Sequence, residues 1–182
     1  MPSFLIVYGT GEGQTAKVAR QLGETLSELG HAVRIEDIDE IDADVGLGDH
    51  DALLIGSSIH AGRHHGKVID FIEMHVDELA TMPNGFFQVS LSSAGDDVAR
   101  ATAAGYIDSL IERTKWTPDR IGQFGGALRY SEYGFLKRAM MRRLGGRSLD
   151  ATDTTRDYEY TDWDEVRTFA EDFASFVTQR VS

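Results

Sequence analysis

Cysteine is absent from this 182-residue chain, which removes disulfides, iron–sulfur clusters, thiolate zinc sites and cysteine nucleophiles from its chemistry. Lysine is scarce: Lys17, Lys67, Lys115 and Lys137 are the only ones, against 30 acidic residues, and the net charge is −12. A surface of that sign repels phosphodiester backbones, so nucleic-acid binding is excluded as a general function. Crowded carboxylates also predict a halophilic surface that dissolved cations must screen, with an ordinary acidic surface as the competing reading. No apolar run approaches the roughly 18 residues of a membrane span, and the N-terminus enters a strand-like stretch without a basic leader. The expectation is a cytoplasmic protein, able at most to rest on the inner face of the cell membrane. Only three prolines are present, and no linker, repeat or low-complexity tract divides residues 1–182, so one domain is expected.

What is present begins at residues 5–15, Leu-Ile-Val-Tyr-Gly-Thr-Gly-Glu-Gly-Gln-Thr. A short apolar strand runs into a turn rich in glycine and threonine, and a helical pattern starts near Gln14. Backbone amides and the hydroxyls of Thr10 and Thr15 gather at a helix N-terminus, whose partial positive charge favours an anion. A Walker loop needs a lysine after its last glycine, and none follows Gly13. A dinucleotide loop needs a third glycine where Gln14 stands, although Glu36 and Asp37 keep that option open. The remaining pattern, Thr10-Gly11-Glu12-Gly13-Gln14-Thr15, suits one phosphomonoester. An unliganded strand–turn–helix junction is the plainer alternative.

Strands and helices alternate along the rest. Strands are expected at Ser3–Tyr8, Ala32–Glu36, Ala52–Gly56, Gly85–Val89 and Ile121–Leu128. Between them lie a helix with Val18, Leu22, Leu26 and Leu29 on one face, a second around Lys67–Leu79, and a third capped by Asp96 or Asp97. The last helix opens on a capping-box pattern at Asp162–Glu165 and carries Val166, Phe169, Ala170, Phe173 and Val177 as an apolar stripe. Five strands with right-handed crossovers imply an α/β fold: a flavodoxin-like, doubly wound parallel sheet in the order 2-1-3-4-5.

Ligands of such sheets sit beyond the C-terminal strand ends, at the switch point. The loop after strand three contains Ser57, Ser58, Ile59, His60, Ala61 and Gly62. The loop after strand four contains Ser90, Leu91, Ser92, Ser93, Ala94 and Gly95. Both offer hydroxyls and amides that suit the edge of a flat heterocycle. Flavin mononucleotide (FMN) fits, its phosphate on the first loop and its ring between the other two. Neither loop carries an aromatic to cover the ring, which leaves a face for a substrate unless Tyr130 or Tyr133 reaches over. His60 is the candidate catalytic residue, a proton exchanger beside the ring edge. His64 and His65 have no acidic partner in the local pattern, and no metal is expected.

Five of the 18 basic residues fall between Lys137 and Arg147, among Phe135, Leu136, Met140, Met141 and Leu144. In a chain this acidic, such a cluster suits substrate carboxylates or an anionic membrane surface, with a solvated helix as the alternative. It reads as an insertion at about 130–160 between strand five and the last helix.

Taken together, Gly13-Gln14-Thr15, Ile55–Ile59 with Gly62 and His65, Trp116–Arg120, Gly126–Tyr130 and Tyr160–Trp163 resemble the menaquinone-dependent protoporphyrinogen IX dehydrogenases. The resemblance covers nearly the whole chain. It implies FMN-dependent oxidation of protoporphyrinogen IX in haem biosynthesis, with electrons passed to a quinone. It also implies that Arg129, Arg138, Arg142 and Arg143 meet the substrate propionates or the membrane. Ala61 departs from the pattern, standing where that family suggests an aromatic. An electron-carrier flavodoxin and a general FMN-dependent quinone reductase remain as rivals.

Overall fold

A computed structural model describes residues 1–42, 44–128 and 158–182. Five long strands form a parallel sheet: β1 (Ser3–Gly9), β2 (Ala32–Asp37), β3 (Ala52–His60), β5 (Asn84–Ser90) and β6 (Arg120–Gly125). Their order is β2-β1-β3-β5-β6, the expected 2-1-3-4-5 arrangement once β5 and β6 are counted as the fourth and fifth long strands. The helices are α1 (Gln14–Glu28), α2 (Gly66–Leu79), α3 (Asp97–Thr114) and α4 (Trp163–Val181).

Alternation along the strands divides the core in two. Phe4, Ile6, Leu54, Phe87 and Phe124 point to one face and pack with Val18, Leu22 and Leu26 of α1 and Val166, Phe173 and Val177 of α4. Leu5, Val7, Leu53, Ile55 and Phe86 point to the other, against Val68 and Ile72 of α2 and Ile107 and Leu110 of α3. β1 and β3 are therefore covered on both sides and read as continuous apolar runs. Asp96 caps α3 by accepting from the Ala99 amide at 2.8 Å. Asp162 caps α4 by accepting from the amides of Asp164 and Glu165.

Two elements differ from the sequence reading. The stretch after Gly56 is not a loop: β3 runs on to His60 and turns back as β4 (Arg63–His64), with Ile59 opposite His64 and His60 opposite Arg63. The turn is Ala61-Gly62, both with positive φ (49° and 76°), the backbone signature of a tight two-residue hairpin turn. Without an Asn-Gly or Asp-Gly pair, the sequence hid it. The fifth strand is also divided. β6 ends at Gly125, and Ala127–Leu128 (β7) pairs antiparallel with Tyr158–Glu159 (β8) in a separate ribbon.

Candidate functional site

Three strand ends converge, because β1, β3 and β5 are neighbours in parallel register, with Gly9 beside Ser57 and Ser58 beside Val89. The turn after β1 leads directly into α1. Gly13 is its N-cap residue with φ 94°, a left-handed conformation that glycine adopts without strain. Thr10 tightens the turn by accepting the Gly13 amide on Oγ1 at 2.8 Å. No described side chain caps α1, so its N-terminus keeps its positive end open to an anion.

The most telling atom here is Thr15 Oγ1. Thr15 is 1% exposed, and its buried hydroxyl has no hydrogen-bond partner among the described residues. Leaving such a group unsatisfied costs about 1–3 kcal/mol, so an acceptor is expected beside it in the working protein. Among the described residues space is available: a Cβ built on Gly13 meets nothing within 4 Å, and one on Gly11 meets only Ser58 Oγ at 3.9 Å. Gly9, by contrast, is forced by packing, since a Cβ there would lie 2.6 Å from Val68 Cγ2 and 2.7 Å from His65 Cγ. Thus α2 closes on the end of β1, while the turn beyond it stays open. These groups fit a phosphomonoester.

The second loop of the sequence reading is the β3–β4 hairpin. Ser57 is fully buried and structural: its Oγ accepts the His65 amide at 2.9 Å and donates to the Ser58 carbonyl at 2.9 Å. Ser58, Ile59, His60, Ala61 and Gly62 follow towards the tip. His60 Nδ1 lies 3.9 Å from Glu12 Oε1, so the hairpin and the first turn face each other. The histidines do have polar partners, contrary to the local-sequence reading. His65 Nε2 is 3.7 Å from Asp39 Oδ2, while Lys67 Nζ binds the other oxygen of that carboxylate, Oδ1, at 2.6 Å.

His64 is the partner least visible in sequence. Its Nε2 lies 2.7 Å from Gln88 Oε1, while Gln88 Nε2 donates to the Ala103 carbonyl at 2.9 Å. Gln88 must therefore accept, and His64 carries its proton on Nε2. Burial pushes the imidazole below its ordinary 6.5, with the Gln88 hydrogen bond opposing. The signal was Gln88 itself, an amide in the apolar run Phe86-Phe87-Gln88-Val89.

The third loop is a short helical turn, Ser92–Ala94. Ser90 Oγ and Ser93 Oγ are 2.8 Å apart, and Ser90 also accepts the Ser93 amide. Ser90 is buried, and Leu91, Ser92, Ser93 and Ala94 are half-buried at the rim. Gly126 donates to the Ser90 carbonyl, tying this loop to the end of β6. The structure thus brings together the three loops predicted to form one site. Arg129, Arg138, Arg142 and Arg143, with Tyr130 and Tyr133, lie outside the described residues.

Residues 5–155 match the flavodoxin domain family. A Leishmania major protein named protoporphyrinogen IX dehydrogenase (quinone) is 34% identical over 178 residues, covering 96% of this chain and 75% of its own. The Escherichia coli protein of the same name is 31% identical over 170 residues, covering 93% of each. Among solved structures, a short-chain flavodoxin associated with a bacterial microcompartment superposes with a TM-score of 0.56. It shares 15% identity over 97% of this chain and 99% of its own.

Proposed function

The chain belongs to the protoporphyrinogen IX dehydrogenase (quinone) family of flavodoxin-domain proteins, and from that membership we propose that it oxidises protoporphyrinogen IX to protoporphyrin IX with FMN as cofactor and a quinone as electron acceptor. The observation that carries the cofactor assignment is the buried Thr15 hydroxyl at the start of α1, which has no partner among the described residues. When bound, FMN supplies the two-electron acceptor that no side chain of this chain can provide. Thr10 to Thr15 hold its phosphate with backbone amides, the Thr15 hydroxyl and the field of α1. Ser58 to Gly62 and Ser90 to Gly95 border its ring.

His60 exchanges the proton that leaves a pyrrole nitrogen as the porphyrinogen is oxidised. It is suited to this by its exposure, 53% for the side chain, on the hairpin that faces the first turn. Ser57, buried in the hairpin base, positions this segment rather than touching a ligand. The basic residues Arg129, Arg138, Arg142 and Arg143 receive the propionates or rest on an anionic membrane surface, where a menaquinone is available. Among the described residues no helix is long and apolar enough to cross a membrane.

Two measurements test this reading. Titration with FMN should quench flavin fluorescence to a one-to-one end point; no binding at any salt concentration overturns the cofactor assignment. An anaerobic assay of protoporphyrinogen IX with a menaquinone analogue should give porphyrin fluorescence. FMN binding without porphyrin formation would favour the electron-carrier alternative.

A further inference from the structure

The limb Tyr158–Thr161 grips the start of α1. Thr161 Oγ1 donates to the Gly125 carbonyl at 2.6 Å and accepts from Gln14 Nε2 at 2.8 Å. Two residues earlier, Glu159 accepts from Lys17 Nζ at 3.0 Å and from Trp163 Nε1 at 3.0 Å. Gln14 is the first residue of α1 and only 4% exposed; Lys17 lies in its first turn. The turn of helix that presents the Thr15 hydroxyl is thus held by the limb through its neighbours.

The same limb reaches the third loop. A Cβ on Gly125 would lie 2.4 Å from the Tyr160 carbonyl oxygen and 2.8 Å from Ala94 Cβ. The limb, the end of β6 and the Ser92–Ala94 turn therefore meet with no room for a side chain. The Tyr160 amide fixes the approach by donating to the Gly126 carbonyl at 2.9 Å.

We propose that Thr161, assisted by Glu159, is a positioning residue for the phosphate loop, acting through Gln14 and Lys17 on the first turn of α1. The proposal rests on the reading that Thr10 to Thr15 hold the FMN phosphate. The Thr161 hydroxyl serves as donor and acceptor at once, so valine there removes the link that joins the Gln14 side chain to the Gly125 carbonyl. The strain falls on Gln14, beside Thr15, where hydrogen-bond geometry to a phosphate tolerates little displacement. The Lys17–Glu159 pair is 43% and 36% exposed and adds little stability by itself. Its contribution is to hold the outer side of the same turn.

Riboflavin, which has the same ring and no phosphate, separates positioning from general loosening. Wild type, Thr161→Val and Thr161→Ser, all full-length, are titrated with FMN and with riboflavin. Thr161→Val should weaken FMN about tenfold, the worth of one or two hydrogen bonds, and leave riboflavin unchanged; Thr161→Ser should restore FMN affinity. Equal loss for both flavins, or no loss of FMN affinity, overturns the proposal. If Thr161→Val does not fold, Glu159→Gln at the more exposed position should show the same FMN-only loss, about threefold, and its absence is equally fatal. A wild type that does not prefer FMN to riboflavin overturns the phosphate reading itself, a separate outcome.

Discussion

At the scale of single residues, an unpaired polar atom and a shifted imidazole each make the site measurable. Thr15→Val keeps the shape of the side chain and removes the stranded hydroxyl. Without flavin the protein should unfold at the same or higher denaturant, because a buried orphan has been deleted. With FMN the order should reverse, affinity falling about tenfold for the loss of one charge-assisted hydrogen bond. Equilibrium unfolding with and without FMN measures both. His64 gives a pH signature. Its folded pKa lies below 6.5, so as pH falls the unfolded chain takes up this proton first. Stability is full above 6.5 and declines from there down to the folded pKa. His64→Asn should flatten the fall in stability as pH drops below 6.5, read from urea midpoints at a series of pH values.

At the scale of elements, legibility followed the strength of the local signal. β1 and β3 were readable because strands buried on both faces leave a run such as Phe4-Leu5-Ile6-Val7, all fully buried. α4 was readable from the Asp162 cap and the stripe ending at Val177. The glycine turn before α1 was readable as the entry to a helix, since Gly13 takes a left-handed conformation (φ 94°) that glycine adopts without strain. The β3–β4 hairpin was not legible, since Ala61 occupies a left-handed position (φ 49°) that sequence rules reserve for Asn, Asp or Gly. Nor was the contact of Thr161 with Gln14, because residues 147 apart in sequence meet only when the ribbon of β7 and β8 closes. The same conflict at Ala61 yields a prediction. Ala61→Asn relieves the backbone penalty of the turn and should raise unfolding free energy by about 0.5–1 kcal/mol. Because the turn lies at the proposed ring edge, FMN affinity measured on the same variant reports whether the strain serves binding.

At the scale of the whole molecule, two charge distributions act in opposite directions. The described surface pairs a few carboxylates, as in Lys67–Asp39 at 2.6 Å, Arg113–Glu73 at 3.1 Å and Arg180–Asp119 at 3.0 Å. With 18 basic against 30 acidic side chains, the carboxylates outnumber the cations that could pair with them, and net repulsion remains. Raising KCl from low to molar concentration should therefore raise the thermal midpoint, since screening removes net repulsion faster than it weakens these exposed pairs. A midpoint that falls or stays level would mean an ordinary acidic surface. The basic cluster at Lys137–Arg147 should respond in the reverse sense, because its affinity for propionates or an anionic bilayer is what salt screens. Arg142→Glu combined with Arg143→Glu should thus raise the KM for porphyrinogen, or release the protein from anionic vesicles, with FMN still bound. If turnover and vesicle partitioning both match wild type at low salt, where the attraction is least screened, the cluster has no part in either contact.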